Sequence, residues 1–396
     1  MQKPLQNIRV LDLTRVLAGP FCTMILSDLG ADIIKIEIPG SGDDSRAFGP
    51  FIGSRSLYFL SINRGKKSVS LNLKHQKGKD ILKELVKKAD VLVENYRPGT
   101  MEKLGLGYDV LKEINPALIY AASSGFGHSG PDSQKPAYDI LAQAMGGIMS
   151  ITGWEGSAPV RVGMSLGDIT ASLFTAIGIT TALYQREKTG LGQKIDVAML
   201  DCQVAILENA LVRLQSEGKN PLPLGNRHPT ITPFQAYKAS DDYFVISVGN
   251  DNLWETFCNT IERPELISDE RFSTNKKRTE HIHELNHILE AIFLNKTASE
   301  WLSIFEKVKL PCAPINKIDQ VMEHPQVLAR NMIVEVEDSV AGKVKIAGNP
   351  IKMDSVPEEA TRGKVPEVGE HNHDVYGSIL GLSEDELRQL SEEGVI

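Results

Sequence analysis

In the first third of the chain, short apolar runs alternate with amphipathic stretches, and this alternation narrows the fold more than any other feature. Ile8 to Leu13 reads as a strand, Phe21 to Leu29 as a helix stopped by Gly30, and Asp32 to Glu37 as the next strand. That spacing predicts a parallel pair joined by a right-handed crossover. The pattern then returns. Lys67 to Leu73 is strand-like, and Lys77 to Lys88 is a helix with Ile81, Leu82, Leu85 and Val86 on one face. Asp90 to Glu94 is a strand, Pro98 opens a helix broken at Gly105 and Gly107, and Ala117 to Ser123 is a further strand. The expectation is an α/β layer fold with a mostly parallel sheet. Residues 38–65 are rich in Gly, Ser, Pro and Arg and form a long excursion, a kind of loop that often carries function.

The 396 residues exceed what one core serves, so two domains are expected. A helix over Met199 to Glu217 is followed by Pro221, Pro223, Gly225 and Pro229, which mark a boundary. Phe234 to Val248 alternates like a hairpin turning at Ser240-Asp-Asp242, and 252–310 is mostly helical. Short β segments at Ile333 to Val336 and Lys343 to Ala347 precede a last helix, Ser383 to Glu393, whose Ser383 and Glu386 match a capping box. The domain reading is a large α/β domain over 1–200 completed by 331–396. A linker helix covers 201–224, a smaller α+β domain 225–325, and a return segment 326–396.

A net charge of -8 argues against a nucleic-acid partner. Cys22, Cys202, Cys258 and Cys312 are widely spaced, which argues against zinc and against a disulfide framework. The N-terminus has no signal pattern and no apolar run looks long enough to span a bilayer, so the expectation is a cytoplasmic enzyme without membrane partner or metal.

Residues 161–193 concentrate the chemistry. A glycine-punctuated turn ends at Gly167, and Asp168 stands where it meets a long apolar helix carrying Ile169, Leu173, Phe174, Ile177, Leu183 and Tyr184, closed by Gly190. A helix N-terminus favours an anion, so Asp168 is expected to be ionised. It is either an N-cap or a carboxylate nucleophile. Gly163-Met-Ser165-Leu-Gly167 matches G-x-S-x-G after a short strand-like run, Pro159 to Val162, which makes a serine esterase or thioesterase using Ser165 an alternative. Gly125-Phe-Gly127-His-Ser-Gly130 matches G-x-G-x-x-G, but Pro131 and Pro136 interrupt any helix there, so it reads as a turn and not as a dinucleotide site.

Basic residues gather in the same half: Arg64, Lys66, Lys67, Lys74, Arg97, Lys103 and Lys135, several at predicted strand ends, where ligands of open α/β sheets bind. Together they suit a ligand with several phosphates, and Tyr96 beside Arg97 offers a stacking face and a cation. In the small domain, Arg227 and His228 lie in a proline-framed turn as candidates to grip a carboxylate. His281, His283 and His287 share a charged helix face without acidic ligands, and read as surface.

Several stretches together resemble the class III CoA-transferases, the group of formyl-CoA:oxalate and carnitine CoA-transferases, over essentially the whole chain. They are Val10-Leu-Asp-Leu-Thr14 with Ala18-Gly-Pro20, Leu29 to Glu37, Gly40 to Asp43, Asn63 to Ser68, Asp90 to Tyr96, Tyr138-Asp139, Gly167-Asp168 and Lys188 to Gln193. The resemblance implies a Rossmann-like large domain, a smaller α+β domain and an interlocked homodimer. It implies coenzyme A as part of the substrate and Asp168 as the nucleophile that carries CoA as an aspartyl thioester. By position it implies CoA contacts at Val16, Ala18, Leu71, Asn72, Lys74, Asn95, Tyr96, Arg97, Lys103 and Tyr138, with Lys135 beside the last. Leu17 stands where the formyl-CoA enzymes have glutamine, and Ile38 where they have arginine. Asn226-Arg227-His228-Pro229 replaces their glycine-rich substrate loop, so Leu17, Arg227 and His228 are the substrate candidates for a longer diacid. Other stretches are similar to the succinate–hydroxymethylglutarate branch, which implies succinyl-CoA as donor. The α-methylacyl-CoA racemases share the fold and pair their aspartate with a histidine. Here that stretch is Ala137-Tyr138-Asp139, and Tyr138 is a poor base, which favours transfer over racemisation.

Overall fold

The computed structural model describes residues 3–396 apart from Pro357 and Ala360. The chain divides into two units. One comprises Met1–Ile148, Arg161–Leu211 and Pro325–Ile396, and the other Met149–Val160 and Val212–His324.

The larger unit is built on six strands: β1 (Arg9–Asp12), β2 (Asp32–Glu37), β3 (Lys67–Ser70), β4 (Val91–Glu94), β5 (Ile119–Ser124) and β6 (Lys194–Ala198). Their order is β3-β2-β1-β4-β5-β6 and every pairing is parallel. The chain runs outward from β1 in one direction and then from β4 in the other. The crevice at the C-terminal ends of β1 and β4 is thus a topological switch point, where open sheets of this kind bind ligands.

Four helices position the site: α1 (Ala18–Asp28), α2 (Gln76–Val86), α3 (Asp139–Met145) and α4 (Leu166–Thr189). Successive strand residues point to opposite faces. Val10, Ile33, Val91 and Ile119 therefore pack with Leu26 of α1 and Ile179 and Leu183 of α4. Leu11, Ile34, Leu92 and Tyr120 pack with Leu82 and Leu85 of α2 and with Val375 and Tyr376. Both faces are covered, which is why these strands read as continuous apolar runs. The exposed edge of β3 is covered too. Asn372 Oδ1 accepts from Ser70 N at 2.9 Å, and Tyr376 donates to Ser70 O at 2.9 Å.

Four expectations need correction. The sixth strand, Lys194–Ala198, was not anticipated. The excursion over 38–65 contains a hairpin, Phe51–Ile52 with Arg55–Ser56, and a helix, Leu57–Asn63. The helix expected over Met199 to Glu217, and with it the linker helix over 201–224, is broken into Met199–Ala205 and Ala210–Glu217 around Glu208, whose φ is +54°. Neither Gly nor Pro marks that break. Finally, α4 is by length and composition long and apolar enough to cross a bilayer. It carries that apolar surface because half of the stretch is buried in the protein's own core.

The smaller unit holds an antiparallel sheet, β7 (Phe234–Lys238), β8 (Tyr243–Ser247) and β9 (Cys312–Pro314), with β8 in the middle. Its core is aromatic: Trp254, Phe257, Phe293, Trp301 and Phe305 are buried together.

Candidate active site

The site begins in the turn after β1. Asp12, at the strand end, is fully buried and accepts from Thr14 N at 3.0 Å, from the hydroxyls of Thr14 and Thr23, and pairs with Lys66 Nζ at 3.0 Å. Burial alone would raise its pKa, but Lys66, Lys35 and the two hydroxyls hold it well below the usual carboxylate range. Lys35 Nζ donates to Thr14 O at 2.8 Å. Asn95, just past β4, clamps the next residue from both sides, accepting from Arg15 N at 2.9 Å and donating to Arg15 O at 2.8 Å. Val16 N donates to Asp43 Oδ1 at 3.2 Å. The held residue, Val16, has φ +66°. For a β-branched residue this left-handed conformation costs about 1–3 kcal/mol and persists only where the surroundings over-determine it.

Opposite this turn lies Asp168. Helix α4 starts at Leu166, so Asp168 is the third residue of its first turn and not its cap. Asp139, at the start of α3, fixes that helix start: its Oδ1 accepts from Gly167 N at 2.8 Å, and its Oδ2 accepts from Gln143 Nε2 at 2.9 Å and from Arg161 Nη2 at 3.3 Å. One turn further along α4, Ser172 Oγ donates to Ala18 O at 2.6 Å and ties α4 to the start of α1. Among the described residues, no hydrogen bond or ion pair reaches the Asp168 side chain. Burial pushes its carboxyl up to about 7, the Asp139 carboxylate adds to the rise, and Arg161 opposes it. Burial thus works against the expectation that the helix N-terminus keeps Asp168 ionised.

Asp168 lines a cavity of about 360 Å³ with Val16, Leu17, Ala18, Asn95, Tyr96, Arg97, Lys135 and Tyr138. A second cavity, of about 560 Å³, adjoins it through the shared residues Arg15 and Tyr96 and is lined by Ile38, Leu71, Asn72 and Lys74. The structure thus brings ten of the eleven sequence-derived CoA candidates to these two cavities. The exception is Lys103, exposed on the short helix Thr100–Leu104, of which Thr100 and Leu104 line the second cavity. Lys135 is paired with Asp132 at 2.8 Å, whereas Lys74 and Arg97 form no ion pair among the described residues. The cation over the Tyr96 ring is Arg15, at 5.4 Å, not the neighbouring Arg97. Leu17 is buried in the Asp168 cavity wall.

Arg227 and His228 belong to the smaller unit. Arg227 lines a cavity of about 490 Å³ with Trp154, Tyr237 and Asn286. His228 is committed locally: its Nδ1 accepts from Thr230 N and Ile231 N, each at 3.1 Å, and its ring lies 5.2 Å from that of Phe234.

The G-x-S-x-G match loses its context, because no strand precedes Ser165. Gly125 to Gly130 forms a turn after β5 with no helix starting in it. Among the described residues, no group of three or more His, Cys, Asp and Glu side chains is placed to hold a metal ion. Sequence reasoning gave no role to Asp139, Arg161, Lys35 or Asp43. The one available signal was Tyr138-Asp139, which was weighed only for its tyrosine.

A switch-point crevice holding an unpartnered, desolvated carboxylate beside unpaired cations defines a group-transfer site for a large anionic substrate. The CoA-transferase family III profile matches residues 5–372, and the chain belongs to that family. It is 45% identical over 368 residues to the acetyl-CoA:oxalate CoA-transferase of Acetobacter aceti, covering 93% of each chain. It is 40% identical over 395 residues to the human succinyl-CoA:glutarate CoA-transferase, covering 100% of this chain and 90% of the relative. A CaiB/BaiF family protein from Brucella suis superposes with a TM-score of 0.84 at 36% identity, covering 96% of this chain and all of the other. The protein is a class III CoA-transferase that uses acyl-CoA substrates.

Proposed function

We propose that the protein moves CoA from an acyl-CoA donor to a carboxylic or dicarboxylic acid through a covalent thioester on Asp168. The observation that carries this reading is the Asp168 carboxylate: half-buried, unpaired among the described residues, and lining a cavity. A partly desolvated carboxylate with its pKa raised to about 7 is ionised in about half of the molecules at pH 7 and is a stronger nucleophile than a fully hydrated one. Its oxygen attacks the thioester carbonyl and expels CoA thiolate, leaving a mixed anhydride. The thiolate attacks the aspartyl carbonyl and expels the donor acid, leaving aspartyl-CoA. The acceptor carboxylate attacks that carbonyl and expels thiolate again, and the thiolate attacks the acceptor's carbonyl, forming the new acyl-CoA and freeing Asp168. Atoms balance and no external proton is needed.

The CoA moiety is assigned to the two adjoining cavities, with Lys74 and Arg97 as its unpaired cations and Tyr96 between them. Succinyl-CoA is the proposed donor. The aliphatic Leu17 in the Asp168 cavity supports an acceptor longer than oxalate, and relatives are named for glutarate, D-citramalate and mesaconate as well as for oxalate. The protein is assigned as a cytoplasmic homodimer. Phe174, Ile177 and Tyr184 of α4 and Ile140 and Met145 of α3 are large apolar side chains left exposed in the single chain, and cover by a second copy would bury them.

The test is intact-protein mass spectrometry after brief mixing with succinyl-CoA, with and without a panel of acids. An adduct of CoA mass on the Asp168 peptide, absent in Asp168→Ala and discharged by one acid as a new acyl-CoA, is the expected result. Steady release of free CoA with no adduct would overturn the mechanism.

A further inference from the structure

The backbone of the turn after β1 is held by side chains from elsewhere in the chain. Its backbone groups are taken up by side chains from three other segments: Thr14 O by Lys35, both peptide groups of Arg15 by Asn95, and Val16 N by Asp43. Asp43 is the member of this set that meets the left-handed residue itself. Its Oδ1 also accepts from Ser45 N at 2.8 Å and Ser45 Oγ at 2.7 Å, and its Oδ2 lies 2.8 Å from Lys35 Nζ, with both side chains buried. The same ion pair therefore grips two residues of one turn, Thr14 through Lys35 and Val16 through Asp43. On the far side the turn is wedged against α1, because a Cβ on Gly19 would stand 2.2 Å from the Thr14 side chain.

We propose that Asp43, clamped by Lys35, is a positioning residue for CoA transfer. By holding Val16 in the left-handed conformation it fixes the Thr14–Ala18 turn as a rigid wall of the Asp168 cavity. This inference rests on the transfer reading above, since it assigns Asp43 a part in that reaction. Asp43 and Lys35 line the adjoining cavity and not the Asp168 cavity, so an effect on the Asp168 chemistry passes through the Val16 backbone, whereas a direct contact with CoA would act on acyl-CoA affinity. A valine released from Asp43 leaves the left-handed region, whereas a glycine occupies it at no steric cost. Asp43 should therefore matter much more when residue 16 is valine.

The experiment is a double-mutant cycle of Asp43→Ala, which removes the oxygen that Val16 N donates to, and Val16→Gly, read by the rate of CoA-adduct formation on Asp168 and by melting temperature. D43A is expected to lower that rate at least tenfold in the Val16 protein, with the concentration for half-maximal rate changed less than threefold. In the V16G background the same substitution is expected to cost less than threefold. Equal losses in both backgrounds, or an effect confined to acyl-CoA affinity, would overturn the proposal. If D43A does not fold, K35M/D43A removes both buried charges together with the acceptor for Val16 N and enters the same cycle. If the wild-type protein forms no adduct, it is the transfer reading that has failed. The melting temperatures then still decide the coupling, because additive shifts of the two substitutions refute the hold of Asp43 on Val16 whatever the substrate.

Discussion

Asp139 Oδ1 sits 2.8 Å from Gly167 N, so one carboxylate anchors the residue before Asp168 while its charge pushes the pKa of Asp168 upward. Anchor and perturbation come from the same side chain and separate by substitution. Asp139→Asn keeps an oxygen for Gly167 N but removes the charge. The acidic limb of the pH–rate profile, set by Asp168, should move to lower pH by about half a unit to one unit. Asp139→Ala loses the acceptor as well and should cost about 1–2 kcal/mol of stability together with at least tenfold in rate. An unchanged limb in D139N would show that Asp139 does not act on Asp168 through charge.

Arg161 provides the opposite sign. Its guanidinium lowers the pKa of Asp168, against the larger effects of burial and Asp139. Arg161→Gln should move the same limb to higher pH and reduce the rate at pH 6 more than at pH 8. A shift in the direction of D139N would contradict this electrostatic account.

Asp168 should itself destabilise the fold when ionised. Its carboxyl is raised from 3.8 to about 7 in the folded chain. Below pH 4 it is neutral in both folded and unfolded chains and costs nothing. Between pH 4 and 7 the unfolded chain loses the proton first, so folding stability falls, and above pH 7 the deficit is constant. Asp168→Asn should therefore be more stable than the wild type at pH 8, by up to about 4 kcal/mol, and equal to it near pH 4. Urea denaturation at the two pH values checks this, and a less stable D168N at pH 8 would refute it.

Glu94 closes β4 and repeats the pattern away from the nucleophile. Burial pushes it up to about 7, against the hydrogen bonds it accepts from Tyr96 N at 2.7 Å and from the Tyr120 hydroxyl at 3.2 Å. Glu94→Gln retains an acceptor for Tyr96 N. It should flatten the fall in stability between pH 5 and pH 8, with a gain of about 2 kcal/mol at the upper end. An identical pH slope in wild type and variant would exclude Glu94 as a titrating group in this range.

How far the residues disclose the molecule depends on what each segment is buried against. Strands β1, β2, β4 and β5 were legible because they are covered on both faces and so carry mostly apolar runs. Lys194–Ala198 was missed because it is the sheet edge, half-exposed, with Lys194 and Asp196 interrupting the pattern. Lys35 was given no role in Asp32-Ile-Ile-Lys-Ile-Glu37, yet it is fully buried, and its partners Thr14 and Asp43 come from segments that only folding brings together. Asp168 was legible from Gly167-Asp168 and the helix behind it. Its protonation was not, because helix ends show in a sequence and desolvation does not. The break at Glu208 left no local mark at all.

The cavity beside Asn72 is finished from far away in the chain. Asn72 N donates to Val395 O at 2.8 Å, and Asn72 Nδ2 reaches Gly394 O, 322 positions later, with Gly394 itself in the cavity wall. On the ribosome, β1 to β5 and α2 emerge long before that wall exists, and the whole of Val212–His324 is made in between. A nascent chain therefore holds an open, unsealed pocket through most of its synthesis. Because closing so long a loop is slow, competence to capture CoA should arrive as one of the last events of folding, well after the sheet that carries it.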